Sequence, residues 1–173
     1  VKIRLSEQEL SDINQAANMR TMNGWVLKQM GGKDKAAESG MTPLERNTLA
    51  LKSEMAVAKC FNLEFNVHAA GPDNGIDMYF GKMSIDVKIS KHCNANLIVK
   101  NKNWFRSKYA ILVLATEELD VVEIVGGISK ELFEQKAKQK EFKQGRGLSW
   151  FVPQRDLDRV DQIWLTFTTN IHA

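Results

Sequence analysis

At 173 residues, with 43% hydrophobic and 26% charged residues and a formal net charge of +3, the chain has the size and apolar content of one globular domain with a sizeable core. No apolar run approaches a membrane span, the first residues form no signal-peptide pattern, and nothing in the composition implies a second domain. Two cysteines, Cys60 and Cys93, have neither metal-ligand spacing nor the density of a disulfide scaffold, so the expected setting is a reducing cytoplasm, and the mild positive charge permits a polyanionic partner without requiring one.

Val1, Ile3 and Leu5 alternate with Lys2 and Arg4, which predicts a short strand, and Ser6 then caps a helix through about Met19. Residues 31–40, small, charged and flanked by glycines, read as a loop. The next start is signalled twice: Thr42 and Glu45 make a capping box and Pro43 takes the first helical position of a helix reaching Phe61. On that helix Glu54 has Ala50 and Leu51 one turn before it and Val57 and Ala58 one turn after. A carboxylate so surrounded lies at the boundary of the buried face, reaching water, or inside that face, where ionisation is costly unless a cation is close. A strand is predicted for Leu63 to His68, followed by the turn-forming run Gly71-Pro72-Asp73-Asn74-Gly75.

The stretch from Ile76 to Ile89 reads as a β-hairpin. A two-residue turn at Gly81-Lys82, glycine first as a type II′ turn prefers, pairs Phe80 with Met83, and counting outward sets Asp77 opposite Asp86. Side chains alternate with period two, so Lys88 follows Asp86 on one face, while Ile76, Met78, Ile85, Val87 and Ile89 form an apolar second face. Two acids about 4.5–5.5 Å apart at Cβ repel each other unless a proton or a cation sits between them. A hard, oxygen-binding ion such as Mg²⁺ suits them, since no soft-ligand cluster is near. Any amphipathic hairpin also shows charges to solvent, and a lone Asp-x-Lys triplet carries little by itself.

Further along, Tyr109 to Ala115 is a near-continuous apolar run, as a central strand covered on both faces should be. Val121 to Val125 reads as a strand broken by Gly126-Gly127, and Ser129 as the cap of a helix. Lys136, Lys138, Lys140, Lys143 and Arg146 fall on a predicted helix and loop and read mainly as a solubilising surface. Leu148 to Val152 is predicted as a strand, Pro153 to Val160 as a helical turn, and Ile163 to Thr169 as a terminal strand.

Taken in order, the helix glutamate, Gly75-Ile76-Asp77 and Ile85-Asp86-Val87-Lys88-Ile89 resemble the PD-(D/E)XK, or restriction-endonuclease-like, nuclease superfamily over roughly residues 42–133. Ile76 stands where the motif's name has proline; Asp73, after Pro72, is the other candidate for the first acid, and the hairpin count favours Asp77. The resemblance implies one nuclease domain of α/β class, a three-layer α/β/α fold with a mixed central sheet, with residues 1–41 as a helical addition and 134–173 as a C-terminal helix and strands. It implies Asp77, Asp86 and the Val87 carbonyl as ligands of Mg²⁺ (Mn²⁺ as substitute), Lys88 beside the attacking water, and Glu54 as an auxiliary acid.

The expected activity is metal-dependent hydrolysis of DNA phosphodiesters by an endonuclease rather than an exonuclease. A Holliday-junction resolvase acting as a homodimer is a subclass of that chemistry, and a non-cleaving nucleic-acid-binding or structural protein is the alternative from another class. Between Asp86 and Glu117 the charged side chains are all basic, and Lys91, Lys100, Lys102 and Arg106 are the expected DNA contacts, with Trp104 and Phe105 interleaved. His68, His92 and His172 have no partner pattern, no Ser-His-acid arrangement surrounds Ser84 or Ser90, and the glycine turns lack a phosphate-loop ending.

Overall fold

A computed structural model describes residues 1–29, 40–68, 76–100, 105–142 and 147–169, with backbone alone for 25–29. A five-stranded sheet is its middle layer, built from β1 (Lys2–Arg4), β2 (Met78–Phe80), β3 (Met83–Ser90), β5 (Tyr109–Ala115) and β6 (Val121–Ser129) in the order β1-β6-β5-β3-β2. β3 and β5 run parallel and every other pairing is antiparallel, so the sheet is mixed.

One face of this sheet is covered by helices α1 (Glu7–Gln29), α2 (Pro43–Phe61) and α4 (Val160–Thr169). Ile85, Ile111, Val113 and Ile124 meet Ile13, Leu51, Val57, Phe61, Ile163 and Phe167 there, all essentially without solvent contact. The other face is covered by a second sheet, β4 (Leu97–Val99), β8 (Ser149–Val152) and β7 (Lys138–Lys140), together with the short helix α3 (Lys130–Lys136). Leu97, Phe105, Ala110, Leu112, Ile128, Phe133 and Val152 form that second core. The expected α/β class and mixed sheet are therefore observed, but the second outer layer is largely β where the resemblance implied helices.

Local signals account for the elements that carry the site. Thr42 Oγ accepts the Glu45 N–H and the Glu45 carboxylate accepts the Thr42 N–H at 2.7 Å, so the predicted capping box starts α2, with Pro43 in its first turn. Asn62 ends the helix in the left-handed region, φ 50°, and the Leu63 N–H returns to the Ala58 carbonyl at 2.8 Å. Gly81 has φ +56° at the predicted turn, and Phe80 pairs with Met83 as counted.

α1 continues to Gln29, ten residues past the predicted end near Met19, and four further predicted elements differ. Residues 63–68 show the alternating burial of a strand, with Val67 inside, yet form no ladder: the C-cap redirects the chain and Asn66 Oδ1 takes the His68 N–H. β6 runs through Gly126-Gly127 instead of stopping. A Cβ at Gly126 would stand 2.6 Å from the Asp158 carbonyl oxygen, and one at Gly127 2.6 Å from the Tyr109 ring, so these glycines serve a close approach within a bulged strand. Lys138 and Lys140 lie on edge strand β7, where charged side chains disfavour pairing with another chain, while Lys143 and Arg146 fall outside the described residues. The segment 31–39 of the predicted loop is likewise outside them.

The fourth difference is the C-terminal element, a helix instead of a strand. Ile163, Leu165, Phe167 and Thr169 alternate as a strand would, but only Ile163 and Phe167, one helical turn apart, are buried; Leu165 is 66% exposed. Phe167 packs against the rings of Phe61, Phe80 and Tyr109. The two phases separate in unfolding titrations with urea. Phe167→Ala is expected to cost about 3–5 kcal/mol, and Leu165→Ala to change stability by less than about 0.5 kcal/mol; equal losses would restore the strand.

Candidate functional site

β3 carries its polar side chains on one face and its apolar ones on the other. Met83, Ile85, Val87 and Ile89 join the helical core, so Ser84, Asp86, Lys88 and Ser90 leave the strand toward the layer of the second sheet. Ser84 is spent structurally, its Oγ accepting the Lys108 N–H at 2.9 Å. Asp86 is only 5% exposed, and Lys88 Nζ donates to its Oδ1 at 2.6 Å. A carboxylate withdrawn this far from water is costly unless a partner compensates it. Here the partner is two residues along the same strand, with its side chain 40% exposed.

Asp77 stands one residue beyond the β2–β3 ladder, where the register puts it across from Asp86. Its N–H goes to the Ile85 carbonyl at 2.9 Å and its Oδ2 accepts the Val87 N–H at 2.5 Å. The side chain thus occupies the place of the next ladder rung, with one carboxylate oxygen turned into the edge of β3. The hairpin count brings Asp77, Asp86 and Lys88 to one short stretch of the sheet, but it does not foresee this edge contact, which depends on where β2 begins.

Glu54 is buried on α2 as its apolar neighbours suggested, with its side chain 9% exposed. α2 lies on the helical face of the sheet, opposite to that from which Asp86 and Lys88 project. The cation near Glu54 is Arg20 of α1, whose guanidinium approaches Oε2 at 3.6 Å. Sequence reasoning missed Arg20. The signal was its position one turn after Ala16 and Ala17, which bury α1 against the core. Among the described residues no three of His, Cys, Asp and Glu stand close enough to share one metal ion.

The basic residues divide. Lys100 and Arg106 are exposed; Lys102 and Trp104 fall outside the described residues. Lys91 is exposed but borders a separate cleft of about 950 Å³ with Glu45, Glu117, Glu118 and Glu123, an acidic setting unlike a phosphate track. The Glu45 carboxyl is held below its ordinary value by hydrogen bonds from the Thr42 backbone and side chain, with Lys91 adding to the effect. Phe105, read as a stacking candidate, is core: it is 1% exposed and meets Phe133 edge to face. Cys60, half-buried, and Cys93, exposed, are free thiols.

Beside Lys88 opens a cleft of about 370 Å³ between the C-terminal half of β3 and the second sheet. Leu112 and Ile98 lie at its apolar side, and His92, Asn94 and Asn96 of the loop after β3 at its polar side. That loop is fixed by the Ala95 N–H to the His92 carbonyl at 3.0 Å and by Gln154 Nε2 to the Cys93 carbonyl at 2.8 Å. Among the described residues no helix is long and apolar enough to cross a membrane. No family model matches the chain, and no curated protein or solved structure matches it significantly.

The structural work of Asp77 is separable from any ligand role. Asp77→Ala strands the half-buried Val87 N–H and is expected to cost about 1–3 kcal/mol in a urea titration. Asp77→Asn keeps an acceptor oxygen at the same place and should recover most of that loss; equal destabilisation by both variants would show that the edge contact is not what matters.

Proposed function

We propose that the chain is a Mg²⁺-dependent nuclease with a restriction-endonuclease-like core that hydrolyses DNA phosphodiester bonds internally. The observation that carries this reading is the desolvated Asp86 carboxylate with the Lys88 ammonium 2.6 Å away and the Asp77 carboxylate on the neighbouring chain segment, Lys88 itself lining a cleft.

The donor set fits the ion. Mg²⁺ keeps several waters and is usually held by one or two carboxylates with substrate phosphate completing its shell, so a pair of acids suffices where a trio is missing. Asp77 and Asp86 would hold it, with the Val87 carbonyl beside them. Bound there, Mg²⁺ supplies a water of lowered pKa and polarises a phosphoryl oxygen.

The remaining work falls to the chain itself. Lys88 donates from Nζ toward the attacking water or a non-bridging phosphoryl oxygen and offsets the negative charge that grows in the transition state. Its tether to Asp86 orients it beforehand, so little reorganisation is needed. The hydrogen bond from the Val87 N–H fixes the Asp77 carboxylate at the edge of β3, beside the residue that follows Asp86. Exposed Lys100 and Arg106 are available to the DNA backbone. Glu54, compensated by Arg20, is better read as part of the α1–α2 interface than as an auxiliary ligand.

One feature favours a second reading. Asp86 and Asp77 each already have a partner within the protein, as they would in a binding protein whose charges serve only the fold. Incubation with plasmid and branched DNA in Mg²⁺, Mn²⁺ or EDTA decides between them. The nuclease is expected to cut with either metal and to stop in EDTA, and Asp86→Ala and Lys88→Ala should each lower the rate by about 10²–10³-fold while DNA binding persists. Binding without cutting on every substrate would favour the non-cleaving protein.

A further inference from the structure

The cleft beside Lys88 has a composition that metal chemistry alone does not require. We propose that it receives one unpaired nucleotide, so that the preferred substrate is DNA that is single-stranded or locally unpaired next to the scissile phosphate. This rests on the nuclease reading of Asp77, Asp86 and Lys88.

Three observations lead there. The first is depth. Asp86 is 5% exposed, and Lys88, which donates to it at 2.6 Å, lines a space of about 370 Å³. A scissile phosphate that meets Lys88 from this side enters that space. A base-paired helix, whose major groove alone is about 12 Å wide, is too broad to follow it in, whereas one strand displaced from its partner can.

The second is the wall. Phe142 lines the cleft and is 40% exposed, so part of its ring is left uncovered there. Its ring is steadied by an edge-to-face contact with Phe151, centroids 5.2 Å apart at 87°, and Lys140 Nζ stands 5.8 Å from its centroid. A steadied ring with a cation over it brings an aromatic surface and a positive charge together, the two things that base stacking beside a phosphate uses. Leu112 and Ile98 continue the apolar surface.

The third is the rim. Asn94 and Asn96 bring amide groups that both donate and accept, and His92 adds an imidazole, all from the braced loop after β3. Base edges present mixed donors and acceptors, which such groups can meet once the base is out of its pair. The Lys88 ammonium, the Phe142 ring and the asparagine amides that line the cleft correspond to the phosphate, ring and edge of a single nucleotide.

Fluorescence anisotropy in EDTA, which prevents cutting, tests this with a labelled oligothymidylate against a fully paired duplex of equal length. The single strand is expected to bind at least about tenfold more tightly, the factor given by one stacked base. Phe142→Ala should abolish most of that preference. Asn94→Ala, in an exposed loop where folding is not at stake, should reduce it, with circular dichroism confirming native folds. Equal or tighter binding of the duplex, or a preference untouched by both variants, overturns the inference. A strong preference for single strands without metal-dependent cutting of any DNA would sink the nuclease reading alone, and metal-dependent cutting of paired DNA without preference would sink the nucleotide cleft alone.

Discussion

Asp86 sits on β3, between the central strand β5 and the edge strand β2 of the middle layer, and it is a charge with almost no access to water. Removing a carboxylate from water costs several kcal/mol even after relaxation, and an ion pair near a surface returns an amount of similar size, so such a pair adds little net stability compared with an apolar pair of the same volume. Lys88 therefore makes Asp86 tolerable without making it advantageous to the fold. Everything around the pair is arranged so that it can exist: β5 supplies a continuous parallel neighbour for β3, and the Asp77 carboxylate seals the edge of the strand that β2 leaves open. A position that is maintained at no profit to folding is where a chemical role is the more economical explanation.

The two flanking layers have different duties. The helical side holds β3 by its odd-numbered residues, with α2 fixed at both ends by its capping box and its left-handed C-cap, and α4 laid across β6 with Phe167 inserted among three rings. The close approach of the 157–158 segment to Gly126 and Gly127, and the hydrogen bond from the Tyr109 hydroxyl to Asp158 at 2.8 Å, tie that helix to the sheet. Burial first, and then the Asp158 contact, push the Tyr109 phenol above its ordinary value, so it stays a donor. The opposite side is looser in design. A three-stranded sheet and one short helix cover only part of the even-numbered face of β3, and the uncovered part is the cleft beside Lys88.

What the sequence made legible were the features whose causes lie within a few residues. The Thr42–Glu45 box, the Gly81 turn with its register and the Ser129 cap each depend on groups close along the chain, and β5 declares itself by being apolar throughout. What stayed hidden depends on partners far away. The alternation of residues 63–68 is real, but a strand also needs a neighbouring strand, and the C-cap denies it one. Ile163 and Phe167 satisfy period two and period 3.6 at once; only the surroundings of Leu165 decide. Gly126 and Gly127 look like a stop until the Asp158 carbonyl and the Tyr109 ring are seen against them. At the site, the face shared by Asp86 and Lys88 follows from alternation alone, while Asp77's turn into the strand edge and Arg20's approach to Glu54 require the tertiary structure.

Glu54 and Asp86 present the same problem, a carboxylate in an apolar setting, and the chain solves it in two ways. Glu54 is compensated by an arginine from a different helix, so the pair joins α1 to α2 and moving either residue disturbs packing. Asp86 is compensated by a lysine on its own strand, so the pair joins nothing that the backbone ladder does not already hold. A flexible ammonium on a four-carbon stem, two-fifths exposed, can share its three donors between the carboxylate and an entering phosphate without any element shifting, whereas the Arg20 guanidinium and Glu54 meet between two helices on the opposite face of the sheet. The capacity to take a second partner, more than the count of acids, is what favours the proposed chemistry on β3 and leaves the helix glutamate to the scaffold.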